Sequence, residues 1–168
     1  MIQYACIPNI LMKVKKDNTI IDLNHFDGPI FCVTLDSLKS EKALNYHDTL
    51  LLWQNSFDEF HIPIFIITPD MQEDLIFFKK IYHSNLEYTQ DIDAFKELGS
   101  IMNKHVYGKK YQIIKSAMYV LMNGKIIDSS KRIHNESIKK LYIKAIECKV
   151  KIFLKKFKNS VDIPSNLW

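Results

Sequence analysis

Residues 29–70 read PIFCVTLDSLKSEKALNYHDTLLLWQNSFDEFHIPIFIITPD, and this stretch decides the fold. Ile30 to Leu35 is a short apolar run, and Pro63 to Thr68 is a second one rich in isoleucine. Between them lie about 20 residues of helical pattern, the length of a crossover helix joining two parallel strands. Both runs are apolar on successive residues rather than alternating, which marks inner strands covered on both faces. The helix is expected to start at Ser40, whose hydroxyl caps it, with Glu41 in the favourable first turn. Its stripe follows Leu44, His47 and Leu51 and is widened by Leu50, Trp53 and Phe57, broad enough to lie flat on a sheet. The turn before such a helix often carries chemistry, because a helix N-terminus offers free N–H groups and a positive potential. Here the turn reads Asp36-Ser37-Leu38-Lys39-Ser40-Glu41-Lys42-Ala43 and holds neither cysteine nor histidine.

Outward from this unit, Lys13 to Lys16 with Asp17-Asn18 reads as a turn after a mostly apolar start. Thr19 to Leu23 then reads as the returning arm of a hairpin. Downstream, Thr68-Pro69-Asp70 turns the chain into a helix over Gln72 to Tyr82 with Leu75, Ile76 and Phe78 facing inward. Asp91 to Lys104 reads as a further helical region, and a Tyr107-Gly108-Lys109 loop leads on to a strand over Ala117 to Met122. Asn123-Gly124 is a strong two-residue hairpin signal, so Lys125 to Asp128 should return antiparallel and make the sheet mixed. The fold class is therefore α/β, with a central mixed sheet, an N-terminal hairpin and an added C-terminal helix. The division is into a domain over 1–133 and a basic helix and tail over 134–168, packed on that domain or at an interface.

That last helix spans Glu136 to Phe157 and has two apolar stripes. Ile138, Leu141, Ala145, Cys148 and Ile152 form one; Tyr142, Ile146, Val150, Phe153 and Phe157 form the other. Residues 131–160 hold ten Lys or Arg against two Glu, although the whole chain carries only +4. Basicity confined to one segment argues for a local docking surface and against a nucleic-acid-binding domain. The first reading of these lysines is a solvated face over an ordinary packed helix; a homodimer or protein partner held through the helix is the second, and attachment to an anionic membrane surface the third. No apolar run approaches the length of a transmembrane span.

Cys6, Cys32 and Cys148 are far apart and form no CxxC or disulfide framework. Their odd number and the absence of a signal peptide lead us to expect a cytoplasmic protein. His25, His47, His61, His83, His105 and His134 show no ligand spacing, so neither a metal nor a cofactor is expected. His47-Asp48 does not read as an acid–base pair, because neighbouring helix residues point about 100° apart.

Several local strings resemble the peroxiredoxins, in their bacterioferritin-comigratory or Q-type branch (AhpC/TSA-like). The likeness covers residues 7–133. It rests on Ile7-Pro8 with Ile21-Asp22-Leu23 and Gly28-Pro29, on Ile64 to Asp70 ending Thr-Pro-Asp, and on Val106 to Tyr111 followed by Ile114-Lys115-Ser116-Ala117 and Asn123-Gly124-Lys125. The resemblance implies a thioredoxin-like three-layer fold and thiol-dependent peroxide reduction. It places the family's peroxidatic cysteine on Ala43, the preceding threonine on Ser40, the supporting arginine on Lys115 and an occasional resolving cysteine on Asp48. The proline expected before the threonine is absent, and residues 33–60 contain no cysteine. Peroxide reduction needs a thiolate, and alanine cannot attack. The implied site Ser40, Ala43, Lys115 is thus a frame without its nucleophile. This leads us to expect a pseudoenzyme that acts by binding or assembly. The alternative is a thiol oxidoreductase using Cys32 or Cys6, although Cys32 sits mid-strand, where cysteines behave as small hydrophobes.

Overall fold

A computed structural model describes residues 13–16, 19–22, 28–90, 101–123 and 125–160. The two apolar runs form β3 (Ile30–Thr34) and β4 (Ile64–Thr68), every residue of both being buried. They pair in parallel, Phe31 opposite Ile64 and Val33 opposite Ile66, with α1 (Glu41–Glu59) as the crossover. β5 (Glu87–Gln90) extends the sheet in parallel beyond β4. β8 (Ala117–Met122) pairs antiparallel with the other edge of β3, and β9 (Lys125–Ser130) follows it through Asn123 at φ 52°. The order β5-β4-β3-β8-β9 makes a mixed sheet with β3 at its centre. β1 (Lys13–Lys16) and β2 (Thr19–Asp22) form a separate N-terminal hairpin. With flanking helices and the added helix α3 (Asn135–Ser160), this is a thioredoxin-like three-layer fold.

One face of the sheet shows how the core is assembled. Phe31 and Val33, Ile64 and Ile66, Met118 and Val120 alternate onto it, all at most 3% exposed. Ala43, Leu50 and Phe57 of α1 join the same cluster, as do Ile138, Leu141 and Ala145 of α3. The Phe31 and Phe57 rings are 4.8 Å apart, and Phe57 meets Tyr142 edge-on at 5.0 Å. Full burial of each such side chain contributes about 1.5–3 kcal/mol, so α3 belongs to the core and is no appendage.

Several local features depart from the sequence reading. Lys13–Lys16 is a strand instead of part of the turn, because it pairs antiparallel with Thr19–Asp22. Ile101–Val106 is a strand, β6, where the periodicity suggests a helix. It pairs antiparallel with β7 (Lys109–Ile114). The tight turn between them has positive φ at both central residues, 50° at Tyr107 and 76° at Gly108. In α1 the buried spine is Ala43, His47, Leu50 and Phe57, rotated from the Leu44–Leu51 line. In α2 (Gln72–Ile81) Leu75 is buried, but Ile76 is exposed.

His61 and His83 take the left-handed conformation just past α1 and α2, at φ 55° and 47°. His61 N donates to Asp58 O while Ile62 N donates to Phe57 O, the paired bonds that normally surround a glycine. His83 and Ser84 repeat the pattern on Lys80 O and Lys79 O.

His47 is buried with no exposed surface, and its Nε2 lies 2.6 Å from the Tyr88 hydroxyl. Its Nδ1 stands 3.7 Å from Asp48 Oδ1, too long for a good hydrogen bond. Burial lowers its pKa below 6.5, and Asp48 opposes this only in part. The fold therefore favours neutral His47, so its contribution is complete above pH 6.5 and is lost as pH falls below that value. Urea titrations from pH 7 to about 5 should show falling stability, with a shallower slope in His47→Leu. An unchanged slope would mean that His47 charges as readily in the fold as in the unfolded chain.

Candidate functional site

The site is built where β3 ends and α1 begins. Asp70, 5% exposed in the Thr68-Pro69-Asp70 turn, reaches back to the β3–α1 loop. Its Oδ1 accepts from Ser37 Oγ at 2.6 Å, and its Oδ2 accepts from the Leu38 amide at 2.7 Å. Ser40 then caps α1, its Oγ accepting from the Ala43 amide at 3.2 Å. From the opposite side, Thr34 Oγ1 donates to Lys115 O at 2.9 Å and accepts from the Ala117 amide at 3.1 Å. This hydroxyl fixes the chain at Lys115 and Ser116 beside the end of β3.

These constraints leave a cleft of about 750 Å³. Ser40, Ala43 and Lys115, named from sequence as separate positions, line it together. Lys42, Tyr46 and Tyr119 are also on its wall, as are Ser116 and Lys131. Sequence reasoning missed Lys42 and Lys131. Lys42 was visible within the quoted turn, whereas Lys131 arrives only because β9 runs beside β8. Among the described residues, the three lysines outweigh the one carboxylate on the cleft, Asp36, and they add to the positive end of α1. Ala43 is only 2% exposed, so its methyl closes the base of the cleft beneath the first turn.

The described cysteines are elsewhere. Cys32 is 1% exposed in the centre of β3, paired with Phe65 and Tyr119, and is not on the cleft. Burial pushes its thiol up to about 12. Cys148 is buried on α3, and burial raises its pKa too. Cys6 lies outside the described residues. Among the described residues, no group of three or more His, Cys, Asp or Glu is placed to hold a metal ion.

Solved structures of the same shape are known. Peroxiredoxin Q from Xanthomonas campestris, as a cysteine-to-serine variant, superposes with a TM-score of 0.71. The match covers 84% of this chain and 94% of that one at 14% identity. The fold is peroxiredoxin-like. A structure of the bacterioferritin comigratory protein of the same organism, described for its alkyl peroxide reduction activity, gives 0.67 over 84% and 95% of the two chains at 15% identity. Peroxiredoxin 5 from Alvinella pompejana gives 0.62 over 80% and 93% at 15% identity. At these identities the likeness establishes the peroxiredoxin-like fold alone. No model of a protein family matches the chain, and no curated protein sequence matches it.

Two substitutions probe the frame. Asp70→Ala strips partners from Ser37 and the buried Leu38 amide, which should cost about 2–3 kcal/mol in denaturant unfolding. A loss under 0.5 kcal/mol, within the range of ordinary surface changes, would show that the loop holds itself. Ala43→Cys places a thiol among Lys42, Lys115 and the α1 N-terminus. Iodoacetamide rates against pH should give a thiol pKa below the free value of about 8.5. A value at or above it would mean that burial at the cleft base outweighs the surrounding positive charge.

Proposed function

We propose that this protein is a Q-type peroxiredoxin homologue that acts by binding in its cleft and does not turn over peroxide. The observation that carries this reading is Ala43, which occupies the first turn of α1 on the wall of a formed cleft. Ser40, Lys115 and the helix N-terminus supply donors of the kind that orient a peroxide and polarise its O–O bond. Without sulfur at position 43 the same donors bind an anion and go no further. Lys42, Lys115 and Lys131 favour a small anionic ligand, carboxylate or phosphate. Free Cys32 and Cys148 suit a reducing cytoplasm as the setting.

The competing reading is a thiol oxidoreductase working through Cys32 or Cys6. For Cys32, burial and a thiol pKa of about 12 weigh against it, since the thiolate is the nucleophile. Assembly through α3 is another way for a chain without catalysis to act, but the lysine rows on that helix oppose self-association.

Stopped-flow mixing with hydrogen peroxide or cumene hydroperoxide and a thiol reductant should show no consumption above the protein-free rate. Turnover abolished by Cys32→Ser would overturn the proposal. Inorganic phosphate and benzoate should raise the melting temperature of the wild type, and the rise should shrink in Lys115→Gln and Lys131→Gln. Equal shifts in all three proteins would place anion binding outside the cleft.

A further inference from the structure

The C-terminal helix carries two faces with different fates. Ile138, Leu141, Ala145 and Cys148 of α3 are at most 8% exposed and pack into the domain. Ile143 is 47% exposed, Val150 49%, Phe153 65% and Leu154 41%. At 3.6 residues per turn these four fall within about 100° of the helix circumference, roughly opposite the packed face. They therefore point away from the body of the protein, where a flat surface can reach them. The outer end is exposed on all sides from Phe153 to Lys158, and the Phe153 and Phe157 rings stack there 6.2 Å apart.

Lysines border this apolar strip. Lys144, Lys151, Lys155 and Lys158 run along one side, with Lys156 on the other. Lys149, also on that second side, is already engaged, its Nζ donating to His61 O at 3.0 Å. Glu147 is the acidic residue along this part of the helix, at the strip's border and 3.9 Å from Lys144 Nζ. We propose that α3 docks the protein on an anionic phospholipid surface, lying in the plane of the headgroups with its outward apolar strip in the acyl boundary. An apolar strip with a lysine row on one side and Lys156 on the other fits such a surface in two ways at once. Phe153, Leu154 and Val150 leave water, and the ammonium groups on their long stems meet lipid phosphates. A second copy fits poorly, since two such strips face to face would bring lysine rows together with Glu147 as the main offset. The helix lies on the surface and does not cross it. Among the described residues, no helix is long and apolar enough to span a membrane.

The full chain should co-sediment with phosphatidylcholine vesicles containing about 30% phosphatidylglycerol and stay in solution with pure phosphatidylcholine vesicles. Added salt should weaken the binding. The double substitution Phe153→Ser with Leu154→Ser should weaken it about tenfold or more. Circular dichroism and melting temperature should not change, because both residues are exposed. Each of Lys151→Gln and Lys155→Gln should weaken binding about fivefold. Three results would overturn the proposal. One is equal binding to neutral vesicles or none to either kind. Another is anionic-vesicle binding that survives the serine pair, which would leave the apolar strip without a part. The third is a dimer in sedimentation velocity that the serine pair converts to monomer, which would give the strip to a second copy.

Discussion

A single buried carboxylate holds the cleft end of this molecule in place. Asp70 belongs to the turn after β4, yet both its oxygens accept bonds from the loop after β3, at Ser37 Oγ and the Leu38 amide. β3 and β4 are parallel neighbours, so their C-terminal ends lie side by side and a short side chain bridges the loops that leave them. Bonds to a charged acceptor are roughly twice as strong as neutral ones, and the buried amide at Leu38 gains a partner it would otherwise lack. The consequence travels along the chain. A fixed Leu38 sets where Ser40 caps α1, and the cap sets where Ala43 stands. Thr34 does the same work across the sheet, taking Lys115 O and the Ala117 amide on one hydroxyl. The cleft exists because these two small polar residues hold its walls at a fixed spacing.

Nothing in that arrangement depends on sulfur at position 43. Ser37, Ser40, Asp70 and Thr34 satisfy one another and the backbone whatever the first turn of α1 carries there. On the proposed reading, a thiol at position 43 can therefore be absent without loosening the frame, and the donors would remain available to another ligand. Cys32 is poorly placed to act as a thiolate. Moving charge onto a sulfur enclosed by Phe65, Tyr119 and the strand backbones is opposed by desolvation, which the pKa of about 12 reflects.

How far the sequence disclosed this depends on whether the deciding forces were local. The parallel pair was legible in the two apolar runs, the cap in Ser40, and the last hairpin in Asn123-Gly124. Each is a short-range signal with one strong physical reading. The β6–β7 hairpin was hidden because its turn places tyrosine rather than asparagine at a positive φ, at Tyr107. β5 carried no signal, since Glu87-Tyr88-Thr89-Gln90 sets one aromatic among three polar residues and becomes a strand by pairing with β4. His61 and His83 occupy helix-ending positions that glycine usually marks. Ser40, Ala43 and Lys115 could be named from sequence, but their meeting in one cleft, and Lys131 joining them, follow from sheet order.

The start of α3 connects the cleft to the far end of the chain. His134 and Ser137 cap the helix reciprocally: His134 N donates to Ser137 Oγ, and Ser137 N donates to His134 Nδ1, both at 3.1 Å. Ser137 Oγ also donates to Arg132 O at 2.6 Å, so the chain is pinned from Arg132 into the helix. Lys131, on the cleft wall, immediately precedes this knot. Beyond it, Ile138, Leu141 and Ala145 lock α3 into the same cluster as Phe31 and Val33. A helix so held cannot swing independently of the sheet. Any surface that engages its outward strip would therefore hold the whole domain in one orientation, with the cleft at a fixed height and angle to that surface. The apolar residues that anchor α3 internally are thus what would turn a local attachment into a defined presentation of the cleft.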